Sequence, residues 1–446
     1  MTNTVVPNTT LSLDLGLDRT LAWAEGGSVR YLVANVMAAG VTRDRNETPP
    51  VNLALCVDVS GSMGGEKLEA ARATAEAVAR ALTARDRLTV VAFSSAAELL
   101  LDACAMDTQG QERAIAAIQQ LRDRGNTNLW EGWLLASERV AIAMAANGKA
   151  SHRVLLLSDG KANAGLTNRD ELARHAGELL MRGIITSAVG IGDGYDEGLL
   201  GAMTEAGGGR LHDAERPHEI GEVVLGELLE GRSALLERTT LRFVLPANVR
   251  AELVGTWSHS VLPGAIEVLV GMLLPESPKR IVLRLHCPAD VPGTTIALGA
   301  SANGALPDGS GEIEAAPAEV QIRLVSGREN NAQPRDIERS VAAFTAWRAA
   351  AMRRAVDLNR EGDRREAKHF LERELRWMEP YARGLPGTDA GLAELVLLLR
   401  RAEEELDPRL SKLMYQSSTN ELRSQRDWRS APQPSVSEKL RRETKK

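Results

Sequence analysis

Asp58, Ser60 and Ser62 stand at alternate positions in Val57-Asp58-Val59-Ser60-Gly61-Ser62-Met63, directly after the apolar run Val51-Asn52-Leu53-Ala54-Leu55-Cys56. A continuous apolar run of this length reads as a buried strand. The loop leaving such a strand gathers one carboxylate and two hydroxyls around one point. Hard oxygen donors of this kind suit Mg²⁺ or another small divalent cation. The triplet alone is weak, because Ser and Asp after strands also cap the helix that follows. Ser62 or Met63, ahead of Glu66-Lys67-Leu68, could serve that purpose alone.

Two later segments decide between these readings. Arg124-Gly125-Asn126-Thr127-Asn128 is a glycine-containing loop that offers a third hydroxyl, Thr127. Arg153-Val154-Leu155-Leu156-Leu157 reads as another buried strand, and Ser158-Asp159-Gly160 stands at its end. In a parallel sheet the loops at the carboxyl ends of strands open onto one crevice. Asp58, Ser60, Ser62, Thr127 and Asp159 can therefore meet there.

With these residues in place, residues 51–232 resemble the von Willebrand factor type A domains, whose metal ion-dependent adhesion site carries this pattern. Asp58, Ser60 and Ser62 fall on the family's Asp-x-Ser-x-Ser, Thr127 on its loop threonine, and Asp159 on the aspartate ending a central strand. The resemblance implies that the serines and the threonine bind the cation directly while the aspartates act through water. It also implies an open coordination position for a partner's Glu or Asp. The metal so implied is Mg²⁺, with Mn²⁺ or Ca²⁺ as substitutes.

The surrounding periodicity predicts the elements that position these residues. Leu68, Ala71, Ala75, Val78, Ala79 and Leu82 form one helical stripe across residues 66–85. Leu88 to Phe93 reads as a strand, 111–121 and 129–146 as helices, 168–182 as a helix, and Ile184 to Val189 as a strand. Gly190-Ile191-Gly192-Asp193-Gly194 reads as a strand exit, and a helix over 216–232 closes the domain. Strands alternating with helices at this spacing predict parallel pairing.

Outside this region the pattern changes. Leu11 to Leu15, Val29 to Val33, Leu241 to Leu245, Ile281 to Leu285 and Val320 to Leu324 alternate or run as half-buried antiparallel strands do. Ala265 to Leu273 and Thr295 to Leu298 lie between, with turns at Pro263-Gly264 and Asn303-Gly304. The fold class expected is therefore a doubly wound, mostly parallel α/β sheet of Rossmann-like type inserted in an antiparallel β-sandwich, followed by a C-terminal helical hairpin or bundle. Residues 1–50 and 235–326 build the sandwich, in an order similar to that of several bacterial proteins. Residues 334–408 are helical, with Gly362 as a C-cap, Asp363 as an N-cap and a third helix at about 388–405. Trp347 and Trp377, at helical spacing, are expected in a core. Residues 423–446 are expected to form a disordered basic tail in which Lys and Arg outnumber acids by about five.

Composition narrows the function. A net charge of -6 over 446 residues gives no reason to expect nucleic-acid binding. Cys56, Cys104 and Cys287 form no Cys-x-x-Cys and read as reduced, buried thiols. No signal peptide is evident and no apolar stretch is long enough to span a membrane, so a cytoplasmic location is expected. The chain shows no Gly-x-x-x-x-Gly-Lys loop and no Gly-x-Ser-x-Gly elbow, and His218-Glu219 lacks the second histidine of a zinc helix. The expectation is a non-enzymatic, cation-dependent protein-binding module. The alternatives are an oligomeric scaffold or a metal-dependent hydrolase, the latter short of a general base.

Overall fold

The computed structural model describes residues 9–40, 49–146, 150–159, 162–192, 194–214, 220–221, 224–226 and 232–422. The chain opens with strands β1 (Thr10–Leu17), β2 (Leu21–Trp23) and β3 (Val29–Ala39). An α/β unit follows: β4 (Val51–Asp58), α1 (Glu66–Ala81), β5 (Arg87–Phe93), β6 (Ala97–Ala105), α2 (Thr108–Ile118), α3 (Leu129–Ala146), β7 (Ser151–Ser158), α4 (Arg169–Met181), β8 (Ile184–Ile191), α5 (Glu197–Ala206) and β9 (Gly208–Ala214). Next come β10 (Leu236–Val244), β11 (Arg250–Val254), β12 (His259–Leu262), β13 (Ala265–Leu273), β14 (Lys279–His286), β15 (Thr295–Ala305), β16 (Glu312–Glu314) and β17 (Ala318–Val325). Helices Gly327–Ala332, Ile337–Arg360, Arg364–Ala382, Asp389–Arg401 and Pro408–Leu422 complete the described chain.

The α/β sheet runs β6-β5-β4-β7-β8-β9. All neighbours pair in parallel except β5 and β6. Every residue of β4, β7 and β8 is buried, as continuous apolar strands with helices on both faces must be. Alternate residues of β4 feed two cores. Leu53, Leu55 and Val57 meet Leu68, Ala71 and Val78 of α1, while Ala54 and Cys56 meet Trp133 and Ala136 of α3. The strand order places β4 beside β7, and the chain winds outward in opposite senses from that pair. Ligand crevices of open α/β sheets form at this switch point.

The segments flanking this unit in sequence form two further sheets: β1-β3-β14-β11, and β12-β13-β10-β15-β17-β2 with β16 on β15. All their pairs are antiparallel except β17 with β2. One core lies between them, with Leu15, Leu32, Phe243, Leu283 and Ile322 among its members. On the other face of the smaller sheet, Tyr31, Val33, Val254 and Val282 pack against Trp347, Met352 and Leu371 of the helices. The α/β unit joins the sandwich at the N-terminal ends of its strands. There Glu237 of β10 accepts from Ser151 Oγ at 2.8 Å and pairs with Arg153 at 3.5 Å. The carboxyl ends of β4 and β7 consequently point away from this junction.

Several expectations need correction. Trp347 is in the core, 6% exposed and donating to Glu374 Oε2 at 2.6 Å, but Trp377 is 68% exposed. Trp377 falls off the stripe Ala367, Leu371, Leu375 and Met378 that its helix buries. Asn303-Gly304 is no turn. It lies inside β15, opposite a bulge in β10, where a Cβ on Gly304 would stand 2.8 Å from Thr239 Oγ1. Asp363 occupies the expected N-cap, with Gly362 at φ +87°, but its side chain makes no capping hydrogen bond. Helix Pro408–Leu422 was not expected; Asp407 Oδ1 accepts from Arg409 N at 2.9 Å and Leu410 N at 3.1 Å to start it. The cysteines are buried and free. Most of the helix expected over 216–232, His218-Glu219 and the tail 423–446 lie outside the described residues.

Candidate metal centre

Asp58 ends β4 as the turn begins. Its Oδ1 accepts from Ser60 N at 2.8 Å, and its Oδ2 accepts from Ser158 Oγ at 2.6 Å. The first bond is a local Asp turn that folds the chain back on itself. The second ties β4 to β7. The carboxylate is wholly buried, and burial raises its pKa. The Ser158 and Ser60 hydrogen bonds oppose that rise, and the nearby Asp159 charge adds to it.

From here the hydroxyls run in sequence. Ser60 Oγ lies 3.1 Å from Ser62 Oγ, which donates to Asp159 Oδ1 at 2.8 Å. The capping alternative fails on geometry. Helix α1 has Gly65 as its N-cap with no side-chain bond, and the short 3₁₀ turn Gly61–Met63 makes none with Ser60. Both serine hydroxyls point to the rim instead of to a helix end. Ser60 is 2% exposed and Ser62 lies open to solvent, so the chain of oxygens runs from the interior to the surface.

Thr127 arrives on the neighbouring loop. Gly61 N donates to Gly125 O at 3.2 Å and Arg124 N to Val59 O at 2.6 Å, which binds the two loops edge to edge. Gly125 has φ +66°, and a Cβ there would fall 2.6 Å from Ser95 Oγ, so the turn requires glycine. Thr127 is buried, with its N–H donated to Asn163 Oδ1 at 3.0 Å and its carbonyl accepting from Asn163 N at 3.1 Å. Asp58, Ser60, Ser62 and Asp159 thus form one hydrogen-bonded chain, and Thr127 is held beside it by its backbone.

Three contributors escaped the motif reading. Ser158 anchors Asp58, and Asn163 fixes the Thr127 backbone. Lys67, in the first turn of α1, donates to Asp159 Oδ2 and to the Ser62 carbonyl oxygen at 3.3 Å. The lysine was visible in Glu66-Lys67-Leu68, but helical periodicity says nothing of where its ammonium goes. The β8 exit closes the far side: a Cβ on Gly194 would lie 2.9 Å from Asp159 O. Gly192 O accepts from Lys412 Nζ of the last helix at 3.0 Å, and that ammonium stands 3.9 Å from the centre of the Tyr195 ring. The helical region therefore reaches the border of the crevice.

Residues 52–224 match the family model of the von Willebrand factor type A domain. This segment has the von Willebrand factor type A fold. A solved structure described as a von Willebrand factor type A protein from Catenulispora acidiphila superposes with a TM-score of 0.67 at 18% identity, covering 90% of this chain and 92% of that one. The ArnB paralog VWA2 from Sulfolobus acidocaldarius gives 0.59 at 16% identity, covering 94% and 100%. These likenesses extend the shared fold to the sandwich and helices around the type A domain. By sequence, the chain is 29% identical over 216 residues to an uncharacterized protein of Synechocystis sp., covering 47% of this chain and 48% of that one. It is 26% identical over 277 residues to human inter-alpha-trypsin inhibitor heavy chain H4, covering 59% of this chain and 28% of that one. The chain thus spans about half or less of the length of these curated relatives.

The candidate residues are all oxygen-bearing: the hydroxyls of Ser60, Ser62 and Thr127 and the carboxylates of Asp58 and Asp159, of which only Ser62 is exposed. Such a set fits Mg²⁺, Mn²⁺ or Ca²⁺ and offers nothing to a soft metal.

Proposed function

We propose that this protein captures a protein partner by holding an acidic side chain of that partner against a divalent cation at the β4/β7 crevice. The observation that carries this reading is the chain Ser60 Oγ, Ser62 Oγ, Asp159 Oδ1, whose hydroxyls are not used as helix caps and which opens to solvent at Ser62. Ser60, Ser62 and Thr127 would hold the cation, with Asp58 and Asp159 carrying the negative charge behind them. The cation would supply charge and a position for an incoming carboxylate.

The protein's own residues supply shape. Asp58 keeps the serine loop folded through Ser60 N and Ser158 Oγ. Asn163 keeps the threonine loop against it. We read binding over turnover because the hydrogen-bonded chain at the rim is built of serine, aspartate and lysine. Free, buried thiols at Cys56, Cys104 and Cys287 agree with work in a reducing compartment, which we take to be the cytoplasm.

The test is capture from native extract on immobilised protein, with Mg²⁺ against chelator. A partner retained only with Mg²⁺, and lost from the Asp58→Ala/Ser60→Ala double variant, supports the reading. Capture indifferent to both chelator and variant refutes it.

A further inference from the structure

Lys67 is out of place electrostatically. It sits in the first turn of α1, where the helix N-terminus favours acids and where Glu66 and Glu69 also stand. Its side chain turns to the rim instead, touching Asp159 Oδ2 and the Ser62 carbonyl oxygen. The Asp159 side chain is completely buried, whereas that of Lys67 is 36% exposed. The other oxygen of the same carboxylate takes the Ser62 hydroxyl. One buried carboxylate therefore serves both a hydroxyl of the donor set and an ammonium. A buried carboxylate without a positive neighbour is costly, and this lysine removes that cost without any metal.

We propose that Lys67 is a tethered counter-ion of the rim: its ammonium neutralises Asp159 when the rim is free, and leaves that carboxylate when a divalent cation is held. This rests on the reading of the rim as a metal centre. The exchange is sterically open. The lysine stem is long and its side chain is 36% exposed, so the ammonium can swing off Asp159 toward solvent. The exchange is also electrostatically required, because a divalent cation beside Ser60 and Ser62 repels an ammonium bonded to the same carboxylate. Lys67 thus lowers metal affinity, and it holds the crevice folded while metal is absent.

The experiment is calorimetric titration of the full chain with Mn²⁺, and separately Mg²⁺, for wild type, Lys67→Met, Lys67→Gln and Lys67→Arg. Thermal melts with and without cation accompany it. Both neutral variants should bind Mn²⁺ about threefold to fivefold tighter than wild type, the scale of removing one partly exposed ion pair. Lys67→Arg should stay close to wild type. The neutral variants should also melt lower without cation and gain more on adding it. Binding seen only in the neutral variants would support the same conclusion. Equal or weaker affinity in both neutral variants, with wild type binding, overturns the role of Lys67 and leaves the metal centre standing. No binding by any variant overturns both.

Discussion

Acidification should weaken the type A domain through one strand residue far from the rim. His152 lies at the N-terminal end of β7, 5% exposed, with Nδ1 3.0 Å from Asn52 Nδ2 and Nε2 buried without a partner. Asn52 donates there and to Val140 O at 3.1 Å, so the ring is held neutral, with its proton on Nε2. Burial depresses the pKa from 6.5 to about 4. The unfolded chain therefore takes up the proton first as pH falls. Stability is intact above pH 6.5 and is lost progressively toward pH 4. At pH 4.5 the linkage amounts to about 2.5 kcal/mol from this residue alone. Urea unfolding at pH 7.5, 6.0, 5.0 and 4.5 should show it as a difference between wild type and His152→Gln. The variant begins less stable or equal, then loses about 2.5 kcal/mol less on the way down. Carboxylates elsewhere titrate in both proteins and cancel. Parallel loss in the two would refute the assignment.

Two further outcomes follow from the helical region. Arg353, buried on helix Ile337–Arg360, contacts Glu205 of α5 and Tyr415 and donates to Thr419 Oγ1 at 2.6 Å. Arg353→Met should cost about 3 kcal/mol by urea unfolding, because it withdraws the guanidinium that Glu205 faces, and adding Glu205→Gln should recover part of that. An effect under about 1 kcal/mol would mean that the helices are not joined to the type A domain through this pair. Trp347→Ala should cost about 3–5 kcal/mol in the same assay, while Trp377→Ala, on a solvent face, should stay within about 0.5 kcal/mol.

How far the sequence reaches is clear from particular segments. The strands β4, β7 and β8 are legible because helices cover both their faces, so their apolar runs are unbroken. Helix α3 is legible end to end. By contrast β6, half-exposed at the sheet edge, shows no buried alternation, and β9 begins Gly208-Gly209. Helix Pro408–Leu422 hides because its second half, Gln416 to Glu421, is polar, although Asp407-Pro408 is a start signal. Trp377 shows the limit of periodicity: one residue after Arg376 and one before Met378, it lies off the buried stripe. At the rim, the oxygen donors could be read from type and spacing. Lys67 and Asn163 could not, because their positions depend on how loops from different strands lie against one another.

The most direct test of the central claim is an anomalous difference map from crystals of the full chain soaked in Mn²⁺. The account predicts a peak among Ser60 Oγ, Ser62 Oγ and the Thr127 hydroxyl, with the Lys67 ammonium moved off Asp159. A map without density at that rim, its serines still bonded to one another and to Asp159 in saturating Mn²⁺, would contradict it.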